Sequence, residues 1–430
     1  MHLSIVAVGS RGDVQPYLAL GHGLQAAGFQ VQICADRLFE DLVTSTGLDF
    51  APVMAAPVDF MQQNLSRYGG PVKLMGWLER HFKPLARQFF SDLASVTQHT
   101  DAILYSTLAF AGYHVAEKHG IPALGVYNVP ITPTHDFQSP SFPLAPAWMP
   151  FKRSYNWFSF RFANQIFIYL IKPIVNECRR DVLGLKTLPV SFYRRLDVSH
   201  LPIVYGFSPN LLPRPKDWGE WLQVSGYWFL DDQLEWQPPD DLLRFLEAGK
   251  PPIYVGFGSM VDEQIEHATP IVLGALQRAG QRGILLGGWG GLGRGDLPET
   301  ILRIDSVPHQ WLFPRVSTVI HHGGAGTTAT GLRYGKPTVV VPFFADQPFW
   351  GERVHQLGCG PHPIPFTRLN INNLADAIDS VVNDPMLRQN AELLSNKLKN
   401  ENGVAKAVSM IQTFLESKTL SKSVREIGNR

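Results

Sequence analysis

The 430 residues are 45% hydrophobic and 17% charged, with 38 basic against 37 acidic side chains and a formal net charge of +1. That composition excludes a largely disordered chain, and the length favours two domains or more. The even balance offers no basic excess for a nucleic acid, and three scattered cysteines, Cys34, Cys178 and Cys359, form neither a disulfide framework nor a zinc-site spacing.

The chain opens MHLSIVAVGSRGD. Its apolar run is short, lacks a basic leader and stops at Arg11, unlike a secretory signal. No uninterrupted apolar stretch reaches the length of a membrane span, so the sequence predicts a soluble, cytoplasmic protein. Residues 3–8 read as a buried parallel strand ending at Gly9. A helix follows, with Pro16 in its first turn, Leu20, Leu24 and Ala27 on one face, and Gly28 closing it. Strands over 29–34, 102–105 and 123–127, with a helix over 110–118, continue the alternation. Such alternation predicts a parallel sheet covered on both faces.

From 128 to 201 the pattern gives way to recurrent prolines and an aromatic-rich stretch, 151–171, which reads as a long irregular insertion of the binding-loop kind. Prolines at 209–215 and 238–239 predict a linker over 216–240. Asp240 is expected to cap a short helix ending near Glu247. A second series then begins: strand 252–257, helix 265–279, strand 283–286, strand 316–320, helix 327–334 and strand 338–341. A last amphipathic helix covers 404–415. The expected architecture is therefore α/β, two doubly wound domains over 1–215 and 241–400. The helical segment 401–418 is expected to pack back on the first domain, and 419–430 to form a polar tail. Ligands bind such sheets at the carboxyl ends of the strands, so two facing domains would share one cleft.

The segment VIHHGGAGTTATGL carries the most chemistry. A strand delivers His321 and His322 to a turn containing Gly323, Gly324 and Gly326, and Thr327 and Thr328 open a helix. Residues without side chains let the backbone approach a phosphate, and the N–H groups of a helix N-terminus point at it. A tight turn with capping threonines would look alike in isolation; the strand–turn–helix context favours a diphosphate cradle.

Here a resemblance enters. VPHQWLFP, HHGGAGTT and PFFADQPFWGERV, in that order, resemble the donor-site signature of the sterol and antibiotic glucosyltransferases, which belong to the UDP-sugar-dependent glycosyltransferases of the GT-B fold. GSRGDVQP and HVAEKHGIPALGV are also similar to that group. The resemblance covers nearly the whole chain and is weakest over 128–236. It implies two facing Rossmann-like domains with an interdomain cleft, the first binding the acceptor and the second the nucleotide sugar. It further implies that His321, Gly323, Gly324, Gly326 and Thr327 hold the diphosphate, with a hydroxyl added by Ser259. Ser306 and Val307, beside His309, would meet the base, and Asp346 and Gln347 would hydrogen-bond the sugar hydroxyls. Many plant members carry a ribose-binding glutamate early in the helix after the cradle. Here that position is Ala329, which leaves UDP against TDP open.

Inverting transfer needs a base for the acceptor hydroxyl. Asp13, just after the first strand, stands where many plant relatives have a histidine oriented by an aspartate; the orienting position matches Ser106. Local sequence alone favours Asp13 as a helix cap, and the resemblance favours the base. The chain has no DxD motif, the usual metal-holding device, which implies a metal-independent reaction with a UDP-sugar as co-substrate and no cofactor. Leaving-group charge would then fall to the glycine-rich turn and His321.

The 151–171 aromatics, with Lys152, Arg153, Arg161 and Lys172 among them, suit an apolar acceptor pocket, a peripheral membrane contact or a core helix. Gly288, Gly290 and Gly293 match GxGxxG but lack a following helix and an acidic partner, so they do not make a dinucleotide site. A hydrolase triad of Ser10, His321 and Asp13 lacks a GxSxG elbow. The expected function is transfer of a hexose, glucose first, to a hydroxyl of a lipophilic acceptor such as a sterol. Alternatives are glycosylation of a polyketide or carotenoid from a UDP- or TDP-sugar, a sugar-nucleotide epimerase, or a non-enzymatic binding protein.

Overall fold

A computed structural model describes residues 1–54, 77–146, 148–188, 201–230, 236–258, 262–287 and 291–428. The chain divides into two units. One comprises Met1–Pro209, Pro213–Leu230 and Asn402–Arg430; the other comprises Asn210–Leu212 and Asp231–Glu401.

The first unit is built on a seven-stranded sheet: β1 (His2–Val6), β2 (Gln30–Ala35), β3 (Asp49–Pro52), β4 (Ala102–Tyr105), β5 (Ala123–Tyr127), β6 (Ile203–Tyr205) and β7 (Leu222–Val224). The order is β3-β2-β1-β4-β5-β6-β7, and every pair is parallel. The direction of winding reverses between β1 and β4, where Val6 lies opposite Tyr105. In sheets of this kind that switch point opens a crevice at the carboxyl ends of the strands. The loops after β1 and β4 carry Ser10, Asp13 and Ser106 to it.

Leu3 and Ile5 from β1, Ile33 from β2 and Leu104 from β4 form the core with Val14, Leu18 and Leu24 from the helix Arg11–Ala26. The helix Gly403–Gly428 adds Ala407, Val408, Ile411 and Leu415 to the same cluster. A Cβ on Gly23 would collide with Val404, so the two helices touch backbone to side chain there. This last helix does not stop at Leu415 but continues through the expected polar tail to Gly428.

Two expectations need revision. The segment 216–240 is not a free linker. It contains β7, and residues 213–230 belong to the first unit with Trp218 and Trp228 buried. Residues 210–212, by contrast, belong to the second unit, where the Arg353 guanidinium donates to the Leu211 carbonyl at 2.6 Å. The prolines mark an anchored crossing rather than slack chain. The aromatic stretch is likewise not irregular: it forms the 30-residue helix Lys152–Asp181. Phe160, Ile174 and Cys178 are buried on one side while Phe158, Phe162 and Tyr169 are exposed on another. Apolar residues on both faces erase the one-sided periodicity that identifies a helix from sequence.

The second unit holds a parallel five-stranded sheet of β8 (Ile253–Gly256), β9 (Gly283–Leu286), β10 (Ile301–Ile304), β11 (Thr318–His321) and β12 (Thr338–Val340), in the order β10-β9-β8-β11-β12. Ile253, Val255, Ile320 and Val339 pack on Val272 and Leu276 of the helix Asp262–Arg278 and on Leu374 and Ile378 of the helix Ile371–Asn383. Here the winding reverses between β8 and β11, with His321 opposite Gly256. Both glycine-rich loops, after β8 and after β11, therefore leave the sheet side by side.

Candidate functional site

In the second unit, β11 ends on His321, which is wholly buried. The Gly323 N–H points at His321 Nδ1 from 2.9 Å. An amide N–H can only donate, so Nδ1 is the acceptor and the ring proton sits on Nε2. Among the described residues that Nε2 has no partner. Burial, then the neighbouring His322 and His309 rings, pushes the His321 pKa well below its ordinary value. The ring is thus a neutral donor with an unfilled bond, and a buried unmet donor is costly unless a ligand meets it.

The turn that follows needs glycine. Gly323 has φ 93°, and a Cβ there would approach Val340 Cγ1 at 2.7 Å and the Gln347 carbonyl at 2.9 Å. His322 fills the space between the two loops, so that a Cβ on either Gly258 or Gly324 would strike its ring. The helix Ala325–Arg333 starts with no side-chain cap on its first turn. Its leading amides, those of Ala325, Gly326 and Thr327, precede the first helical bond, Thr328 N–H to Gly324 carbonyl, and have no intrahelical acceptor. Thr328 and Thr330 turn their hydroxyls back to the Gly324 and Gly326 carbonyls at 2.9 Å each. Thr327 makes no such bond. The structure therefore gathers His321, Gly323, Gly324, Gly326 and Thr327 into one donor-lined turn. Ala329 is buried in that helix, 1% exposed.

Asp346 and Gln347 begin the helix Gln347–Gln356 after a strained loop; Ala345, at φ 56°, is the positive-φ residue other than glycine among the described residues. Gln347 Oε1 accepts from the Phe343 and Phe344 N–H groups at 2.8 and 3.3 Å, so its amide NH2 is the part left to reach outward. Asp346 Oδ2 accepts from Trp350 Nε1 at 2.8 Å. Ser306 is exposed and Val307 buried in the loop after β10. His309 is held: its Nε2 pairs with the Tyr254 hydroxyl at 3.0 Å and its ring stacks on Phe313 at 4.5 Å. Ser259 lies outside the described residues, as do Gly288 and Gly290.

In the first unit, Ser10 rather than Asp13 is the N-cap of the helix Arg11–Ala26. Asp13 is its capping-box partner, with Oδ2 accepting from the Ser10 N–H at 2.8 Å and the Ser10 hydroxyl at 2.9 Å. The carboxylate is exposed in the first turn, beside the switch point. Pro16 stands inside this helix rather than at its start. Ser106 Oγ accepts from the Val8 N–H at 3.3 Å and bonds to Tyr17. Tyr17 in turn donates to the Val126 carbonyl at 2.8 Å. Burial, then the Asp13 charge, raises the Tyr17 pKa well above its usual value. Tyr17 was not singled out from the sequence; its place four residues after Asp13, one turn on, was the available signal.

The buried neutral histidines make one prediction. His322 is lowered to about 4 and His114 of the first unit to about 3, both chiefly by burial. On unfolding each regains the ordinary value of 6.5. Below about 6.5 the unfolded chain takes protons that the folded chain refuses, so stability present above that pH is lost on acidification, by about 1.4 kcal/mol per pH unit for each such histidine. The urea midpoint, measured across that range, is expected to fall steadily on the acid side; a flat profile would contradict neutral burial.

Residues 3–135 match the glycosyltransferase family 28 N-terminal domain, and residues 291–411 match the erythromycin biosynthesis protein CIII-like C-terminal domain. Two proteins of Arabidopsis thaliana, sterol 3-beta-glucosyltransferases UGT80A2 and UGT80B1, are 37% and 36% identical over 97% and 96% of this chain. The chain belongs to the GT-B glycosyltransferases, in their sterol and antibiotic branch. It spans about two thirds of those relatives' length, 66% and 68%. The crystal structure of the glycotransferase of kitacinnamycin superposes with a TM-score of 0.72 at 21% identity, covering 96% of this chain and 99% of that one, which bears out the GT-B fold expected from sequence. Within this branch the donor-lined turn after β11 falls in the matched C-terminal domain and Asp13 in the matched N-terminal one.

Proposed function

We propose that this protein is a UDP-glycosyltransferase that transfers glucose, with inversion and without a metal, from UDP-glucose to a hydroxyl of a sterol-like lipid. The observation that carries the donor half is His321: a buried neutral imidazole whose Nε2–H is unmet among the described residues, just ahead of a helix start whose first three amides have no intrahelical acceptor. Neutral donors fixed in a dry turn stabilise the charge that grows on a departing diphosphate without having to reorganise. Asp346 and the Gln347 amide would hold sugar hydroxyls, and Ser306 with Val307 would take the base.

The acceptor half falls to Asp13. Its carboxylate takes the hydroxyl proton as the acceptor oxygen bonds to the anomeric carbon. The bond from that carbon to the diphosphate oxygen breaks on the opposite face, and UDP leaves with the electron pair. The absence of a DxD motif supports metal independence, and the two Arabidopsis relatives support the choice of sugar and acceptor. Among the described residues no helix is long and apolar enough to cross a membrane.

Incubation with UDP-glucose and a panel of free sterols is expected to add one hexose to a sterol, read by mass spectrometry, undiminished by EDTA. Hexose on no hydroxylated lipid, or release of an epimerised sugar nucleotide, overturns the reading. Inhibition by EDTA that magnesium reverses overturns its metal-free part.

A further inference from the structure

The helix Lys152–Asp181 carries an exposed apolar face. Phe158, Phe162, Ile166 and Tyr169 follow one another at helical spacings of four, four and three residues, and all are exposed, Phe158 by 62% and Tyr169 by 69%. Just ahead of the helix, Trp148 is 80% exposed and Phe151 74%. Large aromatics gathered on one face are costly to leave in water, whereas scattered single ones are ordinary.

The charges around this face are mostly positive, with Asp136 pairing with Arg153 at 3.6 Å. Between Phe137 and Asn176 the sequence contains four cations, Lys152, Arg153, Arg161 and Lys172, and no Asp or Glu. Arg161 and Lys172 each lie three residues after an exposed apolar position, Phe158 and Tyr169, and so border the apolar stripe along one edge. Arg161 also sits over the Trp157 ring at 5.1 Å. Beside the stripe runs a groove of about 460 Å3 lined by Phe142, Tyr155, Phe158, Arg161 and Phe162. An apolar stripe, a cationic border and a groove of acyl-chain character are what an interfacial helix presents to a lipid surface.

We propose that this helix docks the protein, lying flat, on an anionic bilayer. Phe158, Phe162 and Tyr169 enter the headgroup boundary, and Arg161 and Lys172 pair with lipid phosphates. The purpose of docking, access to an acceptor dissolved in lipid, rests on the proposed function; the docking itself does not.

The test is sedimentation of the full chain with vesicles of phosphatidylcholine alone and of phosphatidylcholine with phosphatidylglycerol. The wild-type protein is expected to partition onto the anionic vesicles and to be released by salt. Reversal of two border charges in R161E/K172E is expected to lower that partition by about fivefold or more per residue. Replacement of the stripe in F158S/F162S/Y169S should remove binding to both vesicle types. Phe158, Phe162 and Tyr169 are exposed, so the stripe variant should keep the wild-type melting temperature, and both variants should keep the UDP affinity, which separates failure of docking from failure of the donor site. Wild-type protein that ignores anionic vesicles overturns the proposal, as do variants that bind like the wild type. So does a stripe variant whose only change is loss of a dimer on size exclusion, since the face would then belong to a second copy.

Discussion

Replacing Asp13 by asparagine is expected to lower kcat by about 10²- to 10⁴-fold, the usual contribution of a general base, while leaving the Kd for UDP unchanged. The choice of asparagine follows from the geometry. Asp13 Oδ2 already accepts from the backbone and the hydroxyl of Ser10, so the same residue also closes the first turn of its helix. An asparagine carbonyl can accept both bonds and keep the turn, yet it cannot take a proton from an alcohol. Alanine loses both roles, and the lost capping contact should cost about 1 kcal/mol of stability besides. Asp13→Asn therefore isolates the chemistry, and Asp13→Ala against Asp13→Asn measures the cap. Ser10→Ala removes a donor to the carboxylate but leaves the carboxylate itself, so its effect on kcat should be far smaller. Initial rates at saturating UDP-glucose, with UDP titration calorimetry alongside, decide the matter. An asparagine variant that keeps most of its turnover would leave Asp13 as a capping residue only.

The contrast between Asp13 and His321 shows which parts of the site the sequence could carry. HHGGAGTT is legible because glycine at a positive φ and an uncapped helix start are local requirements, satisfied within a few residues. The strands at 102–105, 123–127 and 283–286 were legible for a similar reason, being short, apolar and bounded by turns. What escaped depends on distant partners. Nothing near His309 says that Tyr254, 55 residues away, will claim its Nε2, and nothing near Tyr17 says that it will bond to Ser106 and donate to Val126. The helix Lys152–Asp181 was hidden because it is apolar on its buried and its exposed side alike. The 209–215 prolines misled because their meaning lies in the Arg353 contact, which is set 142 residues later.

The second large effect concerns His321. His321→Ala is expected to raise the Kd for UDP by about 10- to 100-fold, the range for a hydrogen bond to a charged group, and to lower kcat further. Uridine, which lacks the diphosphate, should bind the variant and the wild type alike, because the loop after β10 is untouched. That comparison is needed because alanine also strands the Gly323 N–H, whose bond to Nδ1 is internal. A general collapse of the site would weaken uridine too, whereas loss of one donor weakens only the diphosphate. The pH dependence carries a second discrimination. A phosphate site that relied on an imidazolium would bind UDP less well as pH rose through the ordinary histidine range. Burial holds His321 neutral throughout that range, so UDP affinity should show no histidine titration there. In the proposed reaction the diphosphate meets a proton fixed on Nε2 by a backbone amide, and a dipole so fixed costs nothing to reorient as the leaving group gains charge. Calorimetric titration of UDP and of uridine against both proteins measures all of this; equal UDP affinities would remove His321 from the cradle.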